Sequence, residues 1–464
     1  MTAKTPPIPK APGALPLVGH APTIYRAPLR FLSSLPRHGK LVEVQLGLSP
    51  TLMVCDTELT RQLFMDARTF DKGGALFDRA REVIGENLIT CPHSRHQRQR
   101  RLTQPAFHLS RLPGYAAIMS DAVERAVRSW PAGEPVDPVP LMMRLSAEVT
   151  ARSMFSHDLS ERSSDQFVTD SITLVDGIFL RSLLPRSADR LPLPAYRRYE
   201  QARRRMDALY RQVISEYRAT GGDRGDLLSI LLSARDEEAG ADTGGARLTD
   251  TEVKDQLSGF FIAGTETTAS ALSWALAALA EHPELQERLR DEVDTVLGGR
   301  PAGYDDVERL ETTRGILTES LRLHSPVWLL TREVAAETRL GPYTVPAGAT
   351  VAYSPYLVHR DPALYADPER FDPDRWADGR TPPRHGFVPF ASGPRKCIGD
   401  VFATIEATLA LATFAAHWTW TAAPGSRSRP NPGAVIRPKG LRLRFTARTP
   451  RPRHTTGGKP APTA

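Results

Sequence analysis

The tightest constraint on this chain's fold is a capping box. Thr249 and Glu252 stand three residues apart, ahead of a long proline-free run. In such a box each side chain bonds a free backbone N–H at the helix start. The run predicts a helix from there to about Glu281, just before Pro283. Asp305 or Asp306 is expected to open another helix, which ends before Pro326. From about Thr57 to Glu238 most segments also read as helices broken by Pro/Gly-rich loops. Leu41–Leu46 and Thr51–Cys55 alternate as strands around Gly47–Pro50. Arg339–Ser354 reads as a second hairpin, turned at Pro346–Gly348. The expected fold class is therefore mainly α with small peripheral β-sheets. Five prolines in residues 1–20 make that segment an extended surface arm. Gly240–Gly245 reads as a flexible connection, and 449–464 as a disordered tail.

Composition narrows the setting. The 464 residues include only three cysteines, Cys55, Cys91 and Cys397. So sparse and odd a set fits a reducing compartment better than a disulfide framework. No apolar run reaches membrane-spanning length and the first residues lack an apolar signal core, so a cytoplasmic, non-membrane protein is expected. The net charge of +7 comes from scattered basic residues without a nucleic-acid motif, and a surface for an acidic protein partner is an equally good reading of it.

The chemistry gathers in four stretches. The first is Phe390-Ala391-Ser392-Gly393-Pro394-Arg395-Lys396-Cys397-Ile398-Gly399. Its glycines permit a tight turn with amide N–H groups aimed at a sulfur. The apolar run Val401–Ala416 reads as a helix, so Cys397 lies just before a helix N-terminus, where thiolate is favoured. Arg395 and Lys396 are expected to add positive charge beside it. By itself the stretch fits an inert buried cysteine equally well. The second is Ala263-Gly264-Thr265-Glu266-Thr267-Thr268, inside the long helix. The Thr267 hydroxyl can bond the Ala263 carbonyl and bend the helix, with Gly264 removing bulk beside the bend. Alone, this hexapeptide fits small-residue helix packing better than a catalytic groove. The third is Glu319-Ser320-Leu321-Arg322, an ion pair at helical spacing and by itself commonplace. The fourth is His96-Gln97-Arg98-Gln99-Arg100-Arg101, where His96 and Arg100 share a face suited to a carboxylate or to solvent.

Together these stretches resemble the cytochrome P450 family along nearly the whole chain. The haem signature Phe-x-x-Gly-x-Arg-x-Cys-x-Gly is matched at Phe390, Gly393, Arg395, Cys397 and Gly399. The resemblance implies the P450 fold in a single haem domain over 1–448. It implies heme b with Cys397 as the axial thiolate, a ligand that promotes O–O cleavage. Glu266 and Thr267 become the acid–alcohol pair that relays protons. His96, Arg100, Arg332 and Arg395 become partners of the haem propionates. Glu319 and Arg322 become a structural pair completed by Arg375, with Arg370 as rival. Electrons would come ultimately from NAD(P)H through a separate ferredoxin and its reductase. An acidic ferredoxin would meet Arg98, Arg101 and Lys396. A monomer is expected.

Family position also suggests a substrate pocket from Phe77, Phe260, Phe261, Ala263, Val327, Trp328 and Ile436, with Leu76, Val83, Ile84, Leu330 and Val435 near it. Each of these fits ordinary core as well. As a set they imply an apolar small molecule. The runs Thr69–Gly74, Gln104–Phe107 and Val327–Arg332 resemble those of actinobacterial P450s that oxidise sesquiterpenes. A macrolide, a fatty acid or a steroid would also suit apolar walls. Two other readings compete with a monooxygenase: a peroxide-driven peroxygenase and a non-enzymatic haem sensor. The Glu266–Thr267 pair stands against both.

Overall fold

The computed structural model describes residues 6–46, 49–155, 161–182, 184, 186, 189, 193–221, 224–236, 247–380 and 385–448. The glycine connection 240–245, the tail 449–464 and the tip of the first hairpin at 47–48 lie outside these. The central helix runs Asp250–Glu281. Its cap is the expected one: the Thr249 hydroxyl accepts from Glu252 N at 3.2 Å, and Thr249 N donates to the Glu252 carboxylate at 2.8 Å. This helix is buried on several faces because other helices surround it, chiefly Pro138–Phe155, Pro194–Thr220, Glu311–Leu323 and Asp400–His417. Helix Leu112–Arg128 packs outside Asp400–His417. Trp130, Phe414, Trp418 and Phe445 close that end of the core.

Strands stay at the periphery. The largest sheet holds β1 (Leu41–Leu46), β2 (Ser49–Val54), β3 (Phe70–Asp71), β4 (Leu330–Val334) and β5 (Thr350–Tyr353) in the order β1-β2-β5-β4-β3. The Pro-rich arm pairs with its β1 edge: Ala11 N donates to Glu43 O, and Glu43 N to Pro9 O, each at 2.8 Å. The first hairpin has the register Leu46↔Ser49.

Two expectations need correction. The second hairpin is Thr338–Leu340 against Tyr343–Val345, turned at Gly341 and not at Pro346–Gly348. Gly341 carries φ +57, and a Cβ there would meet a Leu59 methyl at 2.5 Å. The segment beyond Pro346 becomes β5 and pairs with β2 and β4, because Val351 and Tyr353 bury in the large sheet. Asp306 does bond an N–H, that of Gly303, but it opens only the 3-10 turn Tyr304–Arg309. The α-helix starts afresh at Glu311, where Glu292 caps Thr312 and Thr313, and ends at Leu323.

Candidate active site

Cys397 sits between a tight loop and the helix Asp400–His417, whose N-cap is Gly399. Its N–H donates to the Phe390 carbonyl at 2.9 Å, and Lys396 N donates to Gly393 O at 3.0 Å. Gly393 is dictated by the fold: its φ is +69, and a Cβ would stand 2.4 Å from the Phe64 carbonyl. The loop opens the Cys397 side chain onto a cavity of about 420 Å³. Burial pushes the thiol above its ordinary range, while the Gly399 N–H, Arg100 and Lys396 pull it down. Of the two neighbouring cations, Lys396 acts on the sulfur as expected and Arg395 is turned elsewhere. Lys396 pairs with Asp400. Arg395 reaches away from the sulfur, to Asp71 at 2.8 Å and the Cys91 carbonyl at 3.0 Å.

The central helix contributes Phe260, Ala263, Gly264, Thr267, Thr268 and Ala271 to the same cavity. The Thr267 hydroxyl donates to Ala263 O at 2.6 Å, the expected back-bond. Gly264 serves a packing contact, since a Cβ there would meet Thr150 Oγ1 at 2.9 Å. Glu266 lies one residue from Thr267 but is fully buried and off the cavity wall. Neither carboxylate oxygen has a hydrogen-bond partner. Burial pushes it up to about 8; Arg437 opposes that and Asp176 adds to it. Arg437 in turn donates to Asp176, which is half-exposed.

The cavity wall is rich in cations. Lys72, His96, Arg100, Arg332 and Arg395 line it close to one another, Arg314 and Lys396 line it too, and among the described residues no Asp or Glu does. Burial, then Arg332 and Arg395, hold Lys72 well below its ordinary range. Burial, with Arg395 and Arg100, pushes His96 down to about 3. The buried Arg395 Nε has no partner. Basic groups crowded on one wall, with only Arg395 of the five paired to a carboxylate among the described residues, suit an anion that would restore their charge. A group with carboxylates at one edge, apolar faces and a metal for the sulfur fits this cavity, and haem is such a group. Lys72 was missed in the sequence. The available signal was a single lysine in the apolar run around Phe70 and Phe77, in a chain whose basic residues are nearly all arginine.

The structural pair is wholly buried. Arg322 forks onto Glu319 at 2.8 and 2.7 Å, and Arg375 Nε donates to the same carboxylate at 3.3 Å. Arg370 offers only its backbone carbonyl, to Arg322 at 3.0 Å. Trp376 Nε1 and Asp372 N complete the carboxylate's partners, each at 3.0 Å. The Arg322 guanidinium also bonds the His359 carbonyl at 2.8 Å. His359 Nε2 accepts from Val388 N at 2.8 Å, which puts its proton on Nδ1, 3.0 Å from the Arg322 carbonyl. Val388 borders the cysteine loop, so the pair supports that loop through His359. Neither His359 nor Trp376 stood out in the sequence.

Of the suggested pocket residues, Phe77, Phe260, Ala263, Val327 and Leu330 line the cavity. Phe261, Trp328 and Ile436 do not. Phe261 follows Phe260 on a helix, so it points elsewhere, and its ring packs 4.0 Å from that of Phe167. Trp328 turns inward to donate to the Gly433 carbonyl at 2.8 Å. Ile436 gives its carbonyl to Ser270 and to Trp274, the latter at 3.2 Å. Leu76, Val83, Ile84 and Val435 also lie off the wall. Leu88, Ile89, Phe107 and Met154 take their place. On the outer face, Arg98 and Arg101 are engaged by Glu252 and Asp236.

No helix among the described residues is long and apolar enough to cross a membrane. The family model described as Cytochrome P450 matches residues 9–445. Over 443 residues the chain is 42% identical to pentalenene oxygenase of Streptomyces avermitilis, covering 95% of this chain and 97% of that protein. It is 43% identical over 437 residues to cyclooctatin synthase of Streptomyces melanosporofaciens, covering 93% and 94%. From the same organism, cyclooctat-9-en-7-ol 5-monooxygenase is 43% identical over 429 residues, covering 92% and 90%. A match along nearly the whole chain agrees with the sulfur, the groove and the basic residues that line one cavity: the chain belongs to the cytochrome P450 family, as a monooxygenase.

Proposed function

We propose that this monooxygenase oxidises a cyclic terpene hydrocarbon, a sesquiterpene such as pentalenene, at a methyl group through the alcohol to the aldehyde. The observation that carries this is the lining of the cavity. Lys72, His96, Arg100, Arg332 and Arg395 lie close enough to act on one another, while Phe77, Phe260, Ala263, Val327 and Leu330 give the wall carbon. Apolar walls favour an uncharged ligand over a sugar or an amino acid. The names of the relatives support a terpenoid.

In this reading Cys397 holds the iron of heme b, and Lys72, His96, Arg100, Arg332 and Arg395 hold its propionates. The haem supplies O2 activation when bound. Phe260 and Ala263 orient the hydrocarbon by shape. Thr267 Oγ1 holds a proton on the cavity side of the helix. Glu266, kept neutral by burial, stores the next one a residue away. Electrons arrive from NAD(P)H through a separate ferredoxin and reductase in the cytoplasm. Because Arg98, Arg101 and Lys396 are already paired, their pull on an acidic ferredoxin is weaker than their number suggests.

The experiment is a titration of the haem-loaded protein with pentalenene, a macrolide, a fatty acid and a steroid. Burial at roughly 25 cal/mol per Å² of apolar surface is compatible with micromolar binding. Pentalenene is expected to shift the haem from low to high spin and to yield oxidised product. A shift and product only with another class would overturn the terpene reading.

A further inference from the structure

The loop Gly85–Thr90 joins the helix Ala75–Ile84 to the His96 helix and brings Leu88 and Ile89 onto the cavity. Connecting loops ordinarily run over the surface, where water satisfies their backbone. This one is inside: Asn87 is 1% exposed and Thr90 0%. Its polar groups are met by the central helix instead. The Asp255 carboxylate accepts from Glu86 N at 3.0 Å, and the Gln256 side chain accepts from Leu88 N at 3.1 Å. The Asn87 amide donates to the carbonyls of Ile84 at 2.9 Å and Asp255 at 3.0 Å. Its oxygen takes the Ile89 N–H at 2.9 Å. Gln256 donates to Gln99 at 3.2 Å, and Gln99 to the Glu86 carbonyl at 3.3 Å, so the His96 helix joins the same mesh.

Two glycines mark where the surfaces touch. Gly85 has φ +68, and a Cβ there would stand 2.1 Å from the Asp255 carboxylate. A Cβ on Gly259 would stand 2.7 Å from the Asn87 amide. Gln256, Phe260, Ala263 and Thr267 follow one another at helical spacing, so one stripe of the central helix carries both the loop's anchor and the groove.

We infer that Asp255 and Gln256 are positioning residues for the substrate: they lock the Gly85–Thr90 loop to the central helix, so that Leu88 and Ile89 form a fixed wall before any ligand enters. This rests on the cavity being the site of an apolar substrate and adds how such a substrate is aimed. A hydrocarbon offers no hydrogen bond, so the C–H bond it presents depends on walls that do not yield.

Gln256→Leu tests this, because it keeps bulk but leaves Leu88 N–H and Gln99 unmet. Gln256→Glu keeps an acceptor for Leu88 N and serves as the conservative variant. Asn87→Ser is a milder break of the same mesh, to be used if Gln256→Leu fails to load haem. In ligand-free, haem-loaded protein, amide exchange at Leu88 and Ile89 is expected to quicken by roughly tenfold in Gln256→Leu. It should stay near wild type in Gln256→Glu. With pentalenene as probe, Gln256→Leu should spread oxidation over additional carbons, while haem content and the reduced-CO spectrum stay unchanged. Unaltered exchange together with an unaltered product pattern would overturn the inference. If pentalenene causes no spin shift in the wild type, the substrate reading fails, and the exchange measurement decides the locked loop by itself.

Discussion

Thr267 illustrates what a single residue decides. Its hydroxyl is tied to Ala263 O at 2.6 Å, yet it faces the cavity. Alanine there removes a polar hydrogen from the groove without unfolding the helix. Thr267→Ala is therefore expected to load haem and bind substrate normally, but to divert electrons to peroxide. Product formed per NADPH consumed should fall several-fold, and unchanged coupling would refute the proton-holding role. This residue and Cys397 were legible in the sequence because local spacing fixes what they do: a back-bond spans four residues and a loop precedes a helix. Phe261, Trp328 and Ile436 were not. Which of two adjacent aromatics faces a cavity depends on the helix's rotation, and Trp328 was captured by a carbonyl far along the chain.

Among the elements, the network around Glu319 carries the cysteine loop. Glu319 and Arg322 are completely buried, and removing one partner leaves an uncompensated charge. Arg322→Leu is expected to cost about 3–5 kcal/mol and to lower haem retention, since Val388 is reached from Arg322 through His359. Arg375→Leu should cost less, because Trp376 and Asp372 still bond Glu319. Thermal melts and haem content of both variants measure this. Equal losses would contradict the hierarchy. The capped central helix was readable because its signal is local. The second hairpin was not: Pro346–Gly348 is a genuine turn, but β5 pairs with β2 and β4 from distant sequence, and a turn does not name its partners.

For the whole molecule, buried titratable groups set a window of stability. Burial raises the Glu406 carboxyl from its ordinary 4.5 to about 8. The folded state then holds a proton that the unfolded chain has released, so stability falls as pH rises from about 4.5 through about 8. His324 and His359 are pushed down from 6.5 to about 3 by burial, so stability falls as pH drops from 6.5 toward about 3. Melts across pH should show both limbs. Glu406→Gln should make the alkaline one shallower, by an amount on the order of a few kcal/mol, with Glu266 supplying what remains. An alkaline limb identical to wild type would show that Glu406 does not ionise there.

All of this turns on Cys397 being the thiolate that holds the iron. The reduced-CO spectrum tests it most directly, comparing wild type with Cys397→Ser. The wild type should give the strongly red-shifted Soret band of thiolate-ligated haem, and Cys397→Ser should lose that band even where it retains haem. A mutant that keeps the red-shifted band would contradict the account, because the Cys397 sulfur on the cavity wall would then not be the ligand.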